Sequence, residues 1–300
     1  MNRVYFDNAA TTPIAPQVIE AMTKAMQEQH GNPSSIHADG RAARTLIEQS
    51  RKTIAQSLNA SIGEVFFTSG GTEANNMALK CAVRDLGVTR IISSPTEHHC
   101  VLHSLDNIEE NNQGISVVKL ELDDKGLVNM NQLETLLQDK THKTLVTLMH
   151  ANNEIGTMID LERVGELCAE AGAYFHTDTV QTIGFYPIDV EKIKISFLSG
   201  AGHKFYGPKG VGFIYINNDN IIRPFVDGGA QERNMRGGTE NIYGIVGMAK
   251  ALELMLDKQE EYEKHIRALR AIMVKRVKEE LPMIDFNGDV ENGHYKTLNL

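Results

Sequence analysis

The sequence is poor in cysteine and contains no tryptophan. Cys81, Cys100 and Cys168 are its three cysteines, and no two of them have the CxxC spacing. Such an odd and sparse set argues against a disulfide framework and against a structural zinc site. It favours a reducing compartment, so we expect a cytoplasmic protein.

Basic residues and long apolar runs are also scarce. Lys and Arg number 30 against 39 Asp and Glu, which gives a formal net charge of −9. This balance disfavours nucleic acid or an anionic membrane as the main partner, because both need a basic surface. No stretch approaches the ~20 apolar residues of a membrane span, and the first residues lack the apolar run of a signal peptide.

The first 257 residues alternate short β-branched or aromatic runs with helical patterns. The predicted strands are 64–68, 90–94, 115–122, 144–150, 173–178, 195–199 and 210–216, and the predicted helices are 17–29, 38–58, 72–85, 98–112, 129–138 and 161–171. This alternation predicts an α/β fold with a mostly parallel sheet covered by helices. In such a sheet, ligands bind at the carboxyl ends of the strands.

The last part of the chain has a different pattern. After Gly247, a long charged segment without Gly or Pro predicts one long helix or two helices with a bend. A lone strand candidate follows at 283–288, and TLNL at 297–300 is typical of the start of a strand. We therefore predict a large domain of residues 15–257 and an incomplete small α/β domain of residues 1–14 and 258–300.

A glycine-containing turn, SGGTE at residues 69–73, stands between a predicted strand and a predicted helix. The N–H groups of a helix N-terminus, together with Ser and Thr hydroxyls, form an anion site that suits a phosphate. An ordinary turn with Thr72 as the helix N-cap explains the same residues.

Two further residues at strand ends could carry chemistry. Lys204 lies in a glycine-rich turn, where desolvation would make it an amine nucleophile, although a solvated surface lysine is the alternative. Asp178 ends a strand, where a carboxylate is costly unless it faces a ligand or a cation, although a helix N-cap would also use it. An amine, a carboxylate and a phosphate cradle together fit pyridoxal 5′-phosphate (PLP).

A metal site is the competing interpretation of the histidines near residue 100. His99 and His103 are four residues apart on a predicted helix, but the sequence has no HExxH motif and no evident third ligand. We therefore predict no metal, and we expect His98 to stack on a planar ring instead.

Eight motifs, in order, make the sequence resemble the NifS/IscS-type cysteine desulfurases, which are class V members of the fold-type I PLP enzymes. The motifs are YFDNAATTP (5–13), GNPSSIH (31–37), FTSGGTEANN (67–76), TEHH (96–99), MHANNEIG (149–156), FHTDTVQTIG (175–184), GHKFYGPKG (202–210) and MRGGTEN (235–241).

The resemblance implies a role for each matching site residue. Lys204 is implied as the Schiff-base lysine, Asp178 as the partner of the pyridine nitrogen, and Gln181 as a neighbour of the phenolic oxygen. His98 would stack on the ring and move protons, and Asn153 would approach the ring oxygen and the substrate. A phosphate-binding set is implied as well, made of Gly71, Thr72, His203 and, from the second subunit of a homodimer, Thr239.

The implied activity is removal of sulfur from L-cysteine, which gives L-alanine and a persulfide for an iron–sulfur scaffold or another acceptor protein. The Lys204 amine would take the α-proton while the cofactor stores the electrons. A selenocysteine lyase, a class V aminotransferase and a non-catalytic dimerising scaffold are the alternatives.

Two departures from the family pattern bear on this activity. Ala201 stands where the family has a serine that contacts the phosphate, and Ser199 is the candidate replacement. The family's persulfide cysteine and substrate-binding arginine lie beyond the last residue. Cys100 is the candidate stand-in, while Cys81 and Cys168 are expected to be buried. Because a lone terminal strand cannot form a stable unit, we expect a shortened form of a desulfurase.

Overall fold

A seven-stranded sheet organises residues 4–300, the part of the protein that a computed structural model describes. The strands are β1 (Val65–Thr68), β2 (Arg90–Ser93), β3 (Ser116–Lys119), β4 (Thr144–Thr147), β5 (Tyr174–Asp178), β6 (Phe197–Ala201) and β7 (Gly212–Ile216). Each of them overlaps a predicted strand, which confirms the predicted order of elements, although β6 lies two residues later than the predicted 195–199.

The sheet is mostly parallel, as predicted. Its strand order is β1-β7-β6-β5-β4-β2-β3, and β7 is antiparallel to both β6 and β1, while the other neighbours are parallel. Because β7 opposes the strands on both of its sides, β1 runs in the same direction as β5 and β6. The carboxyl ends of these three strands therefore meet at one edge, where Asp178 pairs with Ser199.

Eight α-helices accompany the sheet in the described residues. They are α1 (Pro16–Glu28), α2 (Ala38–Ser57), α3 (Gly71–Leu86), α4 (His99–Asn111), α5 (Met130–Gln138), α6 (Leu161–Ala171), α7 (Ile242–Asp257) and α8 (Gln259–Glu280). Successive strand residues point to opposite faces, so Phe67 packs into one apolar cluster with α2, α6 and α7, and Phe66 packs into another with α3 and α4. No helix in residues 4–300 is long and apolar enough to cross a membrane.

Two predicted strands are too long. β3 ends at Lys119 rather than at 122, and β4 ends at Thr147 rather than at 150. After β4 the chain still follows β5, since the His150 N–H donates to the Asp178 carbonyl at 3.0 Å. The apolar pattern therefore continues beyond the regular ladder.

The structure of the last forty residues differs from the predicted terminal strands. The charged segment forms two helices that meet at Lys258, one of the two predicted alternatives. Neither 283–288 nor 297–300 forms a strand, and the two stretches meet at one antiparallel bridge between Asn287 and Asn299. The fully buried Tyr295 donates its hydroxyl to the Phe185 carbonyl at 3.2 Å. The prediction of a lone terminal strand without a partner was therefore wrong.

Candidate active site

A cavity of about 410 Å³ lies at the edge of the sheet where β1, β5 and β6 end. Eight of the nine predicted site residues line it, namely Gly71, Thr72, His98, Asn153, Asp178, Gln181, His203 and Lys204. Thr239, the ninth, is exposed and does not line the cavity.

Asp178 presents a buried carboxylate to this cavity. It ends β5 and is 5% exposed. Its Oδ1 accepts the Val180 N–H at 2.9 Å, and its Oδ2 accepts an N–H of the Asn75 amide at 2.6 Å. Burial raises the pKa of Asp178, although these hydrogen bonds oppose the shift. No α-helix follows β5 before β6 in this described region, so the helix N-cap alternative was wrong.

Lys204 lies in a 3-10 turn directly after β6 and is half-buried. Its Nζ donates to the carbonyl of Ala9 at 2.5 Å, and the Gln181 side-chain amide donates to the same carbonyl at 3.0 Å. Burial lowers the pKa of the Lys204 amine, while the charges of Asp178, Asp7 and Glu154 oppose that shift. The alternative of a solvated surface lysine was therefore wrong.

The N-terminus of α3 forms one wall. The helix begins at Gly71, and Gly70 is its N-cap, so Thr72 is not the cap. A Cβ at Gly71 would lie 2.6 Å from Val180 Cγ2, so this wall requires glycine. Nearby, burial and the Lys204 charge lower the pKa of His203 to about 4, which keeps its ring neutral at pH 7. The wall therefore offers helix N–H groups and a neutral imidazole to an anion.

Ser199 does not replace the hydroxyl that Ala201 lacks. Ala201 lines the cavity, whereas the Ser199 Oγ lies 3.2 Å from His176 Nε2 in the buried interior. The two side chains point to the same face of β6, but two residues separate them by about 6–7 Å along the strand.

Sequence reasoning missed Asn75 and considered Cys100 only as a stand-in for the persulfide cysteine. Asn75 lies four residues after Gly71 on α3 and therefore faces the same side as the cavity wall, a spacing that could have revealed it. Cys100 lines the cavity, and its Sγ lies 3.0 Å from His98 Nδ1. Burial raises the pKa of Cys100 to about 11. Cys81 and Cys168 are buried in the apolar clusters, as predicted.

The comparison with protein families decides what kind of protein carries this site. The family described as aminotransferase class-V matches residues 4–300. The chain belongs to the class-V aminotransferase family. Within it, the chain is similar to cysteine desulfurase IscS of Dictyoglomus turgidum, with 42% identity over 298 residues that cover 99% of this chain and 75% of that protein. Cysteine desulfurase IscS of Methanosarcina thermophila is 45% identical over 288 residues, which cover 95% and 70%.

Solved structures of this family share the fold. A NifS-like protein superposes with a TM-score of 0.92 at 36% identity, covering 98% of this chain and 80% of that one. A structure of SspA in complex with cysteine gives a TM-score of 0.78 at 38% identity, covering 84% and 72%. These matches confirm the predicted membership among cysteine desulfurases and the predicted α/β fold class.

The residues of the cavity fit the PLP cofactor of this family. The volume lies within the range of small-molecule sites. A half-buried amine, a buried carboxylate and a helix N-terminus that a Cβ at Gly71 would obstruct all face the same space. The amine suits the aldehyde of PLP, the carboxylate suits its pyridine nitrogen, and the helix N-terminus suits its phosphate.

Proposed function

We propose that the protein is a PLP-dependent cysteine desulfurase that takes the sulfur from L-cysteine and releases L-alanine. One observation carries the proposal: the Lys204 amine and the buried Asp178 carboxylate line one cavity in a chain of this family. The similar fold of SspA, which was solved in complex with cysteine, supports the same substrate class.

Each side chain has a role that its position supports. Bound PLP supplies an electron sink for the charge left when a proton leaves the substrate. Lys204 Nζ would hold the cofactor and would take the α-proton, for which a lowered pKa is useful. Asp178 holds the proton of the pyridine nitrogen. His98 would cover the ring, and Asn153 and Gln181 would lie at the side of the ring oxygen.

The N-terminus of α3 would hold the phosphate in this proposal. Gly71 and Thr72 supply N–H groups, and His203 supplies a neutral imidazole. We further propose a homodimer in which the exposed Thr239 of one copy reaches the phosphate in the other. The proposed domain division remains residues 15–257 against residues 1–14 and 258–300.

The sulfur needs a thiol acceptor. A pKa of about 11 leaves roughly one Cys100 thiol in ten thousand ionised at pH 7, which disfavours Cys100 as the nucleophile. Cys81 and Cys168 lie in the apolar clusters, away from the cavity. We propose that a separate thiol takes the sulfur: the carbon–sulfur bond of cysteine breaks, the acceptor thiol becomes a persulfide, and alanine gains the proton. In a cytoplasmic setting, which the three free cysteines support, an iron–sulfur scaffold or another acceptor protein supplies that thiol.

Cofactor binding and product analysis test the function. Purified protein with PLP should give a visible absorption band that Lys204→Ala abolishes, while Lys209→Ala, which changes an exposed lysine of the same turn, retains it. With L-cysteine and dithiothreitol, alanine and sulfide should form in equal amounts. A band that persists in Lys204→Ala would refute the role of Lys204.

The same assay separates the alternatives. Faster release of selenide from selenocysteine than of sulfide from cysteine would indicate a selenocysteine lyase, and amino transfer to a keto acid would indicate an aminotransferase. Intact cofactor binding without any turnover would indicate a non-catalytic scaffold.

A further inference from the structure

Asn75 connects the carboxylate and the imidazole of the site. Its Nδ2 lies 2.6 Å from Asp178 Oδ2 and 3.2 Å from Cys100 Sγ, and that sulfur lies 3.0 Å from His98 Nδ1. All four residues line the cavity, although they come from α3, β5 and the start of α4.

The Asn75 amide acts here as a double donor. Its two N–H groups face a carboxylate and a sulfur, and the reverse orientation would bring the amide oxygen against the negative Asp178. Asn75 is fully buried, and its Oδ1 has no partner among the described residues. An unpaired buried oxygen is destabilising. The Asn75 amide therefore contributes less to the stability of the core than an apolar side chain would.

His98 is held in one tautomer by the same contacts. As the N-cap of α4, its Nδ1 accepts the backbone N–H of Cys100 at 3.2 Å, which is one of two contacts that favour the tautomer with its proton on Nε2. The Cys100 sulfur accepts from Asn75, which leaves its own S–H free to donate to Nδ1. A pKa of about 11 keeps that thiol protonated at neutral pH.

We propose that Asn75 is a positioning residue, which directs the Asp178 carboxylate at the pyridine nitrogen and, through Cys100, holds the His98 proton on Nε2. The inference rests on the proposed function for the identity of the cofactor. The hydrogen-bond chain itself belongs to the apoprotein and can be tested there.

Asn75→Ala tests the proposal, with Asn76→Ala as its matched control. Asn76 is the next residue of α3, but its Nδ2 donates to the Thr72 carbonyl of its own helix and faces solvent. Loss of a hydrogen bond to a charged group should weaken PLP binding by about tenfold or more in Asn75→Ala. Asn76→Ala should bind PLP as the wild type does. Asn75→Ser, which keeps one donor, should fall between the two.

The His98 tautomer gives a readout that does not depend on the cofactor. In apoprotein labelled with ¹⁵N-histidine, the wild type and Asn76→Ala should show the Nε2–H form of His98. Cys100→Ala and Asn75→Ala keep the backbone N–H of residue 100, but the first removes the thiol donor and the second removes the N–H that orients it, so both should show a larger share of the Nδ1–H form than the wild type. A His98→Gln spectrum assigns the signal.

Stability measurements complete the design. A merely structural role predicts a lower unfolding midpoint for Asn75→Ala, with PLP affinity and the His98 tautomer unchanged, and this result would overturn the proposal. If Asn75→Ala does not fold, the same comparison is made with Asn75→Ser. If the wild type binds no PLP, the proposed function fails, whereas a tautomer that does not respond to either variant refutes the connection through Asn75.

Discussion

The side-chain nitrogen of Lys296 lies 3.4 Å from the backbone oxygen of Lys204. The same nitrogen lies 3.4 Å from the centroid of the Phe185 ring. Burial and the nearby charge of Lys204 lower the pKa of Lys296 to about 7. The terminal stretch of the chain thus places a second amine behind the candidate cofactor lysine.

Replacing Lys296 with methionine should stabilise the protein at neutral pH. The unfolded chain holds this proton up to about pH 10.5, whereas the folded chain releases it near pH 7, so the fold gains stability as the pH rises between these values. Lys296→Met should raise the free energy of unfolding at pH 7 by on the order of 1–3 kcal/mol, with a small difference near pH 10. Urea unfolding at both values measures this, with Lys264→Met on the exposed part of α8 as the control. A larger gain in the free energy of unfolding at pH 10 than at pH 7 would contradict the predicted pH dependence.

Adding the hydroxyl that Ala201 lacks should tighten cofactor binding. Ala201 lines the cavity beside the proposed phosphate position. One new hydrogen bond of about 1 kcal/mol should lower the PLP dissociation constant about fivefold in Ala201→Ser, as measured by absorbance titration. Ser199→Ala should leave this constant unchanged but lower stability, because it leaves the Nε2 of buried His176 without its hydrogen-bond partner. Weaker PLP binding in Ser199→Ala would show that Ser199 does act on the phosphate.

Removing one partner of the buried ion pair between Arg51 and Glu232 should lower the free energy of unfolding more than removing an exposed pair. Two guanidinium nitrogens of Arg51 lie 2.6 and 2.9 Å from the Glu232 carboxylate oxygens, and Oε2 also accepts the Phe67 N–H at 2.7 Å. Arg51→Met should cost about 3–5 kcal/mol in urea unfolding, because it leaves a buried carboxylate unpaired. Arg233→Met, which removes an exposed pair with Glu48, should cost less than about 1 kcal/mol. The double variant Arg51→Met/Glu232→Gln should recover part of the loss, and no recovery would argue that packing, not charge, sets the cost.

Acid should destabilise the fold through its buried histidines. Burial lowers the pKa of His150 to about 4. The unfolded chain therefore binds this proton below about pH 6.5 and the folded chain below about pH 4, so stability falls as the pH drops through that interval. In His150→Gln the fall between pH 6.5 and pH 4.5 should be smaller by about 1–2 kcal/mol. The exposed His142→Gln is the control, and equal slopes for both variants would refute the assignment to His150.

The order of strands and helices could be predicted because each element carries its own periodicity. Asp178 and Lys204 could be found for the same reason, since Asp178 ends one apolar strand, Lys204 lies in the turn after another, and parallel strands place their ends together. The direction of β7 could not be predicted, because an apolar run of five residues is the same in either direction. Its antiparallel course depends on its neighbours β1 and β6.

Contacts between elements that are distant in the chain could not be predicted from the sequence either. The Asn75–Asp178 hydrogen bond joins residues 103 positions apart, and the Arg51–Glu232 pair joins residues 181 apart. Asn75, Arg51 and Glu232 each have an ordinary local interpretation as a polar helix or loop residue. Their burial against a partner is a property of tertiary packing, which no local pattern encodes.

The carbonyl of Ala9, which both Lys204 and Gln181 approach, has a consequence for how the protein is made. The segment around Ala9 is held by residues that come much later in the chain. The Thr12 N–H donates to the His203 carbonyl, and the Ala15 N–H donates to the Tyr206 carbonyl. Synthesis proceeds from the N-terminus at about 5–20 residues per second. This segment therefore waits for roughly 10–40 s before residues 203–206 exist to bind it. The segment around Ala9 is thus made well before the partners that fix it in place, and the cavity can close only after residues 203–206 have been made.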